Sequence, residues 1–201
     1  MAAYSDDVLA VALEVCKAHA AGYDTWTMGS PAQTFDLVTG GWCGRFVRQV
    51  YEVAQHLPAG AFQFAAPSAA CCEYRLRQAG LKVMDPNPGD ILCLNGSVPS
   101  HLLNNIDWQR ANRNFGHIAI HLSDESFAEN TSSGRGPGTV VSRYSEIAGR
   151  TRTYYRVLPA LPSPQGTLIK IIEHSTGNII EEHMMVPNGN HIADQGKLYV
   201  E

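Results

Sequence analysis

Apolar positions recur at helical spacing in three stretches of this chain, and alternate or run continuously through most of the remainder. In residues 6–21 the apolar set is Val8, Leu9, Ala12, Leu13 and Cys16, with Asp6 and Asp7 placed where a helix N-terminus favours negative charge. From Cys43 onward Phe46, Val47, Val50, Tyr51 and Ala54 form a stripe of 3.6-residue period, so a helix starts at or just before Cys43. "PSAACCEYRLRQAGL" (67–81) predicts a third helix, opened by Pro67-Ser68 and closed by Gly80. Strands are expected at "GDILCL" (89–94), "GHIAIHL" (116–122), "SFAENTS" (126–132), "TVVSRY" (139–144) and "RTYYRVL" (152–158), separated by Asp, Ser and Gly signals. Helices followed by a run of antiparallel strands define an α+β domain.

Residues 22–42 read as irregular. "PALPSPQG" (159–166) is a Pro-rich break and a domain boundary. Beyond it, "TLIKIIEH", "NIIEEHMMV" and "KLYVE" are separated by turns at Ser175-Thr176-Gly177 and Pro187-Asn188-Gly189, which predicts a small β-hairpin module. The expected organisation is a main domain over 1–160 and an appendage over 165–201, the latter too short for an independent core.

Composition narrows the class. Of 201 residues 44% are hydrophobic and 17% charged, which supports a packed core and argues against disorder. A net charge of −4 without a basic patch argues against nucleic acid as a partner. No run reaches the roughly 20 apolar residues that span a bilayer. The N-terminal stretch lacks a basic n-region, so a helix and not a signal peptide is expected, with synthesis in the cytoplasm. The cysteines are Cys16, Cys43, Cys71, Cys72 and Cys93; an odd count without CxxC spacing points away from a disulfide framework or structural zinc, and toward buried thiols.

Cys43 stands apart because it opens a helix. A thiol there feels the positive end of the helix dipole and unpaired backbone N–H groups, both of which favour the thiolate. Those N–H groups also suit the oxyanion of a tetrahedral intermediate, and Gly44 keeps backbone and substrate close. The alternative is a core cysteine on the apolar stripe. A nucleophile needs a base, and His117, at the edge of a strand after Gly116, is the best placed; His121 is deeper in that strand. His19 and His56 fall near helix ends, where solvation or dipole pairing is usual, His101 lies in a loop, and His174, His183 and His191 of the C-terminal module have no acidic or thiol companion at metal spacing. Glu129 and Asn130, one hairpin away, are alternatives for orienting the imidazole. Trp42 either stacks on substrate or closes the core. "SGRGPG" (133–138) lacks the Lys-Ser/Thr of a phosphate loop and reads as a hairpin tip.

Taken in order, "WCGRFVRQVYE", "NPGDILCL", "GHIAIHL" and "FAENTSS" resemble the papain-like peptidoglycan hydrolases of the NlpC/P60 and CHAP groups, over about residues 20–155. The resemblance implies a circularly rearranged papain fold, with the cysteine helix packed on a small antiparallel sheet. It implies Cys43 as nucleophile, His117 as base, and Glu129 at the third position, as in CHAP-like members, with Asn130 close by. Many NlpC/P60 members carry Asp-Cys-Ser-Gly where this chain has Trp42-Cys43-Gly44-Arg45, and many carry His at the third position; both departures lean toward CHAP or toward a less usual branch. Some CHAP enzymes have an acidic calcium loop before the cysteine, which "GYDTWTMGSPAQTFDLVTGG" lacks, so neither metal nor cofactor is expected. The implied activity is cleavage of an amide in the stem peptide or at its junction with the glycan. The implied partner is bacterial peptidoglycan, reached by a monomer after release, injection or non-classical export, with a delivery or immunity protein in attendance. Trp42, Gly44 and Gly116 would line the substrate site. An acyl or peptidyl transferase, and a non-catalytic wall-binding module, are the rival outcomes for the same fold.

Overall fold

A computed structural model describes residues 3–96, 115–132, 137–158, 167–172, 179–185 and 191–192. The chain divides into two compact units, Met1–Leu158 and Pro159–Glu201. The first is α+β. Helices α1 (Ala3–Ala20), α2 (Cys43–Ala54) and α3 (Ala69–Gln78) accompany a hairpin of β1 (Thr25–Met28) and β2 (Gln33–Asp36). Strands β3 (Lys82–Val83), β4 (Ile91–Asn95), β5 (Phe115–Ser123), β6 (Ser126–Thr131), β7 (Gly138–Arg143) and β8 (Arg152–Tyr155) form one antiparallel sheet in the order β3-β8-β4-β5-β6-β7.

Each helix ends by the same device. The N–H of Gly22 reaches the His19 carbonyl at 2.9 Å and that of Tyr23 reaches Ala18 at 3.2 Å. Gly80 to Arg77 (3.0 Å) with Leu81 to Leu76 (3.2 Å) repeats the pattern, as does His56 to Val53 (3.1 Å) with Leu57 to Glu52 (2.7 Å). These paired bonds satisfy the last carbonyls and require a left-handed residue just past the helix. Glycine supplies it at Gly22 and Gly80, with φ of 89° and 70°; at α2 it is His56, with φ of 55°. His56 thus serves the backbone. At the start of α3 the Ser68 hydroxyl accepts the Cys71 N–H at 3.1 Å, as the Pro67-Ser68 signal predicts.

The main core lies between the helices and the sheet. Phe46, Val47, Val50 and Tyr51 of α2 are almost fully buried against Ile118 and Ile120 of β5, and burying each such side chain is worth about 1.5–3 kcal/mol. A second, smaller cluster gathers Leu92, Leu94, Ala119, Phe127, Tyr144 and Ile147. Strict alternation would send Phe115 and Ile118 to opposite faces, yet both pack in the main core. The register explains it: Leu94 pairs with His117 but Asn95 pairs with Phe115, leaving Gly116 as an extra residue in β5. A bulge of this kind turns the strand locally and re-aims its side chains.

One expectation is corrected. Residues 22–42 are not wholly irregular, because β1 and β2 pair Trp26 with Phe35 and Thr27 with Thr34, whose hydroxyls meet at 2.9 Å. Trp26 and Met28 are partly buried on the core and Phe35 fully so, but four residues per strand give too short an alternation to stand out. The two-residue β3 carries no period at all. The Asp of "NPGD" is a structural lock: Asp90 accepts the Asn87 N–H at 2.8 Å and two Arg156 donors at 2.9 and 3.1 Å, tying β8 to the turn before β4.

In the second unit, β9 (Thr167–Ile172), β10 (Ile179–Met185) and β11 (His191–Ile192) form an antiparallel sheet in the order β11-β10-β9. The third strand is thus at His191–Ile192, whereas the strand expected at "KLYVE" lies outside the described residues. The Pro-rich break at 159–166, the turns at 175–177 and 187–189, His101, His174 and residues 133–136 of the glycine-rich stretch lie outside them too, as do the side chains of His183 and His191. Among the described residues no helix is long and apolar enough to cross a membrane.

Candidate active site

Cys43 is the first residue of α2, and no side chain caps that end. The first hydrogen bond of the helix runs from the Phe46 N–H to the Trp42 carbonyl at 2.9 Å, so the N–H groups of the first turn have no acceptor within the helix. Their direction is set by Asn130. Its Oδ1 accepts the Trp42 N–H at 2.8 Å, and its Nδ2 donates to the Thr39 carbonyl at 2.9 Å, so a buried amide spans the turn leading into the helix. Gly40 makes that turn fit. A Cβ there would lie 2.8 Å from Ser132 Cα and nearer still to the Thr131 carbonyl.

His117 follows the β5 bulge and meets Glu129 of β6. Nε2 and Oε2 are 2.6 Å apart, with the imidazole partly covered and the carboxylate buried. At that separation the carboxylate acts on the imidazole both as a hydrogen-bond acceptor and as a counter-charge. The other Glu129 oxygen, Oε1, accepts the Ser142 hydroxyl, which fixes the carboxylate's orientation. With Nε2 turned to Glu129, Nδ1 is the nitrogen left for the thiol.

The electrostatics separate Cys43 from the other thiols. Burial opposes ionisation of Cys43, but the hydrogen bond and charge of His117, with the N–H groups of Ile118 and Gly44, outweigh it and bring the thiol below its usual value. Burial pushes Cys16 and Cys72 up to about 12 and Cys93 well above the ordinary value. His117 moves the opposite way: burial alone would lower it, yet the Cys43 and Glu129 partners raise it from 6.5 to about 9. A lowered thiol beside a raised imidazole favours the thiolate–imidazolium form of the pair over the neutral form.

A groove of about 750 Å³ opens over Cys43. Trp42, Gly44 and Gly116 line it, and Trp42 is half exposed, so its ring borders the groove rather than closing the core. A Cβ on Gly44 would meet nothing nearer than the Ala66 carbonyl at 3.9 Å; packing does not demand glycine here, and the space it leaves belongs to the groove. The facing wall runs along 65–69 and is braced from below. Glu52 Oε1 accepts the N–H groups of Gly60 and Phe62 at 2.8 and 3.1 Å, and Arg75 donates to the Ala65 carbonyl.

The structure therefore brings Cys43, His117 and Glu129 together and assigns Asn130 elsewhere. Asn130 does not serve the imidazole; it holds the backbone that presents the cysteine. The other described histidines are committed to structure. His121 Nδ1 meets the Tyr144 hydroxyl at 2.7 Å in the interior, where burial lowers its pKa. His19 is not simply solvated, since its Nδ1 reaches the Thr139 carbonyl at 2.7 Å. Three arginines carried no sequence signal. Arg150 donates through Nε (2.7 Å) and Nη2 to the Asn95 carbonyl beside the bulge, and it feels the charges of Glu129 and Cys43. Arg45 and Arg48 line the groove. Among the described residues no group of three or more His, Cys, Asp or Glu side chains is placed to hold a metal ion.

No protein-family profile matches this chain, and comparisons with curated proteins and with solved structures yield no significant match.

Proposed function

We propose that this protein is a cysteine hydrolase of papain-like fold that cleaves an amide bond in peptidoglycan, within the stem peptide or where it joins the glycan. The observation that carries the chemistry is the Cys43–His117–Glu129 constellation beneath an open groove. The wall as substrate rests on the resemblance of the four ordered sequence blocks to NlpC/P60 and CHAP enzymes.

In this reading the Cys43 thiolate attacks the amide carbonyl, and the developing oxyanion is met by the Cys43 N–H at the helix terminus; one such donor is typically worth about 100- to 1000-fold in rate. The His117 imidazolium gives its proton to the amide nitrogen as the C–N bond breaks, and the amine leaves. A thioester remains on Cys43. Water, deprotonated by the now neutral His117, adds to it, and collapse expels the thiolate and frees the carboxylic acid. Glu129 holds the ring in line and favours its charged form, and it stays ionised throughout.

The test is digestion of purified peptidoglycan by the wild type and by Cys43→Ala, with masses measured on the soluble fragments. Release by the wild type alone supports the proposal, and the masses name the bond. Release by both, or by neither, refutes it; protein that pellets with sacculi without cleaving them would instead be a wall-binding module.

A further inference from the structure

We propose that the groove beside Cys43 selects substrates bearing a free carboxylate close to the scissile amide, and that Arg45 and Arg48 bind it. The proposal rests on Cys43 being the nucleophile. Arg45 and Arg48 are the groove's charged side chains, and both are positive. They stand three residues apart on α2, hence on one face, at about 3 and 7.5 Å along the helix from Cys43. On that spacing a carboxylate bound there lies within about two residues' length of the attacked carbonyl.

Each guanidinium has an acidic neighbour, Glu52 for Arg48 and Asp36 for Arg45, so its charge is offset in part, and each still lines the groove. Arg48 Nε lacks a hydrogen-bond partner and stands 3.7 Å from Glu52 Oε2, while the other Glu52 oxygen is engaged by the N–H groups of Gly60 and Phe62. Arg45 is exposed, and its acidic neighbour Asp36 is held mainly by the Thr39 N–H. The opposite wall, Ala65, Ala66, Pro67 and Ala69, is uncharged and small. The positive end of α2 adds to the same local field. The chain as a whole carries a charge of −4, so attraction of an anion to this groove is local. The substrate class that fits is a peptide amide with a small side chain and an adjacent free carboxylate.

The test needs no substrate. The probes are iodoacetate, which is anionic, and iodoacetamide, which is neutral and of similar size. Their alkylation rates at Cys43 are measured site by site by mass spectrometry at pH 7, with 2-mercaptoethanol as the reference thiol. The wild-type ratio of iodoacetate to iodoacetamide rates is expected to exceed the reference, with His117 contributing part of the excess. In Arg45→Gln/Arg48→Gln the ratio is expected to fall roughly five-fold, in keeping with the loss of two nearby partly screened charges. Arg48→Lys retains most of it, and 1 M salt erases most of it. Arg45→Gln alone, at an exposed position, is expected to show about half of the logarithmic fall if the double variant does not fold. A ratio unchanged by these substitutions overturns the carboxylate subsite while leaving the nucleophile intact. A Cys43 that reacts slowly with both reagents overturns the thiolate reading, and this proposal with it.

Discussion

Replacing Glu129 with Gln tests the site's electrostatics with little change of shape. The carboxylate is buried, with Oε2 2.6 Å from His117 Nε2 and Oε1 on the Ser142 hydroxyl, and Gln fills the same volume and still accepts that hydroxyl. What is lost is one negative charge against the imidazole. The rise of His117 from 6.5 to about 9 corresponds to a preference for the imidazolium on the order of 3 kcal/mol. Cys43 and Glu129 share in producing it, against burial. Because Glu129 is one of the two partners that raise it, Glu129→Gln should bring His117 down, by about one pH unit, a change on the order of 1 kcal/mol. NMR titration of the His117 ring, identified by its loss in His117→Ala, reads this directly, and the value belongs to the coupled Cys–His pair. Hydrolysis should follow, its alkaline fall moving from near pH 9 toward 8. Stability should follow as well. A histidine raised in the folded state adds stability that is complete below 6.5 and lost as pH rises through about 9, so the variant's deficit should be greatest at low pH and vanish above that window. A His117 titration unmoved by Glu129→Gln would show that Glu129 does not tune the base.

Asn130→Ala removes the acceptor of the Trp42 N–H and the donor to the Thr39 carbonyl, and should cost about 1–3 kcal/mol in denaturant unfolding and slow Cys43 alkylation while leaving the His117 titration in place. If the His117 value moved as far as in Glu129→Gln, the division of labour between the two residues would be wrong. Gly40→Ala places a methyl against the Thr131 carbonyl and Ser132 Cα, and should lower stability by about 1–3 kcal/mol and displace the Cys43 turn; a wild-type melting curve and alkylation rate would refute it. His56→Gly relieves a left-handed non-glycine residue at the end of α2 and should gain about 0.5–1 kcal/mol, seen as a melting temperature higher by roughly 1–4 °C; a fall would mean the imidazole makes a stabilising contact of its own.

How much of this was legible in the sequence follows from what each feature depends on. The three helices were, because each buries one face and writes that period into the chain, and the five longer sheet strands were, because their apolar runs are bounded by turn residues; α2 begins at Cys43, where the apolar stripe begins. The hairpin of β1 and β2 escaped because four alternating residues per strand are too short a pattern to stand out, and β3 because two residues carry no period. The site divides along the same line. Cys43 was marked by its place at a helix start and His117 by the glycine before it, which the structure resolves as a bulge. Adjacency could not distinguish Glu129 from Asn130, since neighbouring residues on a strand point opposite ways and the sequence does not say which way faces the base. In the structure that parity separates two duties. Glu129 controls the charge of His117 from one side of β6, and Asn130 controls the position of Cys43 from the other. Two adjacent residues of one strand thus govern His117 and Cys43 separately, which is why, on the proposed mechanism, exchanging their side chains, Glu129→Asn with Asn130→Glu, should abolish hydrolysis although composition and charge are unchanged. The carboxylate would then sit against the Thr39 carbonyl, an acceptor facing an acceptor, while His117 would lose its counter-charge. Activity retained in that exchanged variant would show that the two positions are interchangeable, and that neither the turn nor the imidazole depends on which of them carries the charge.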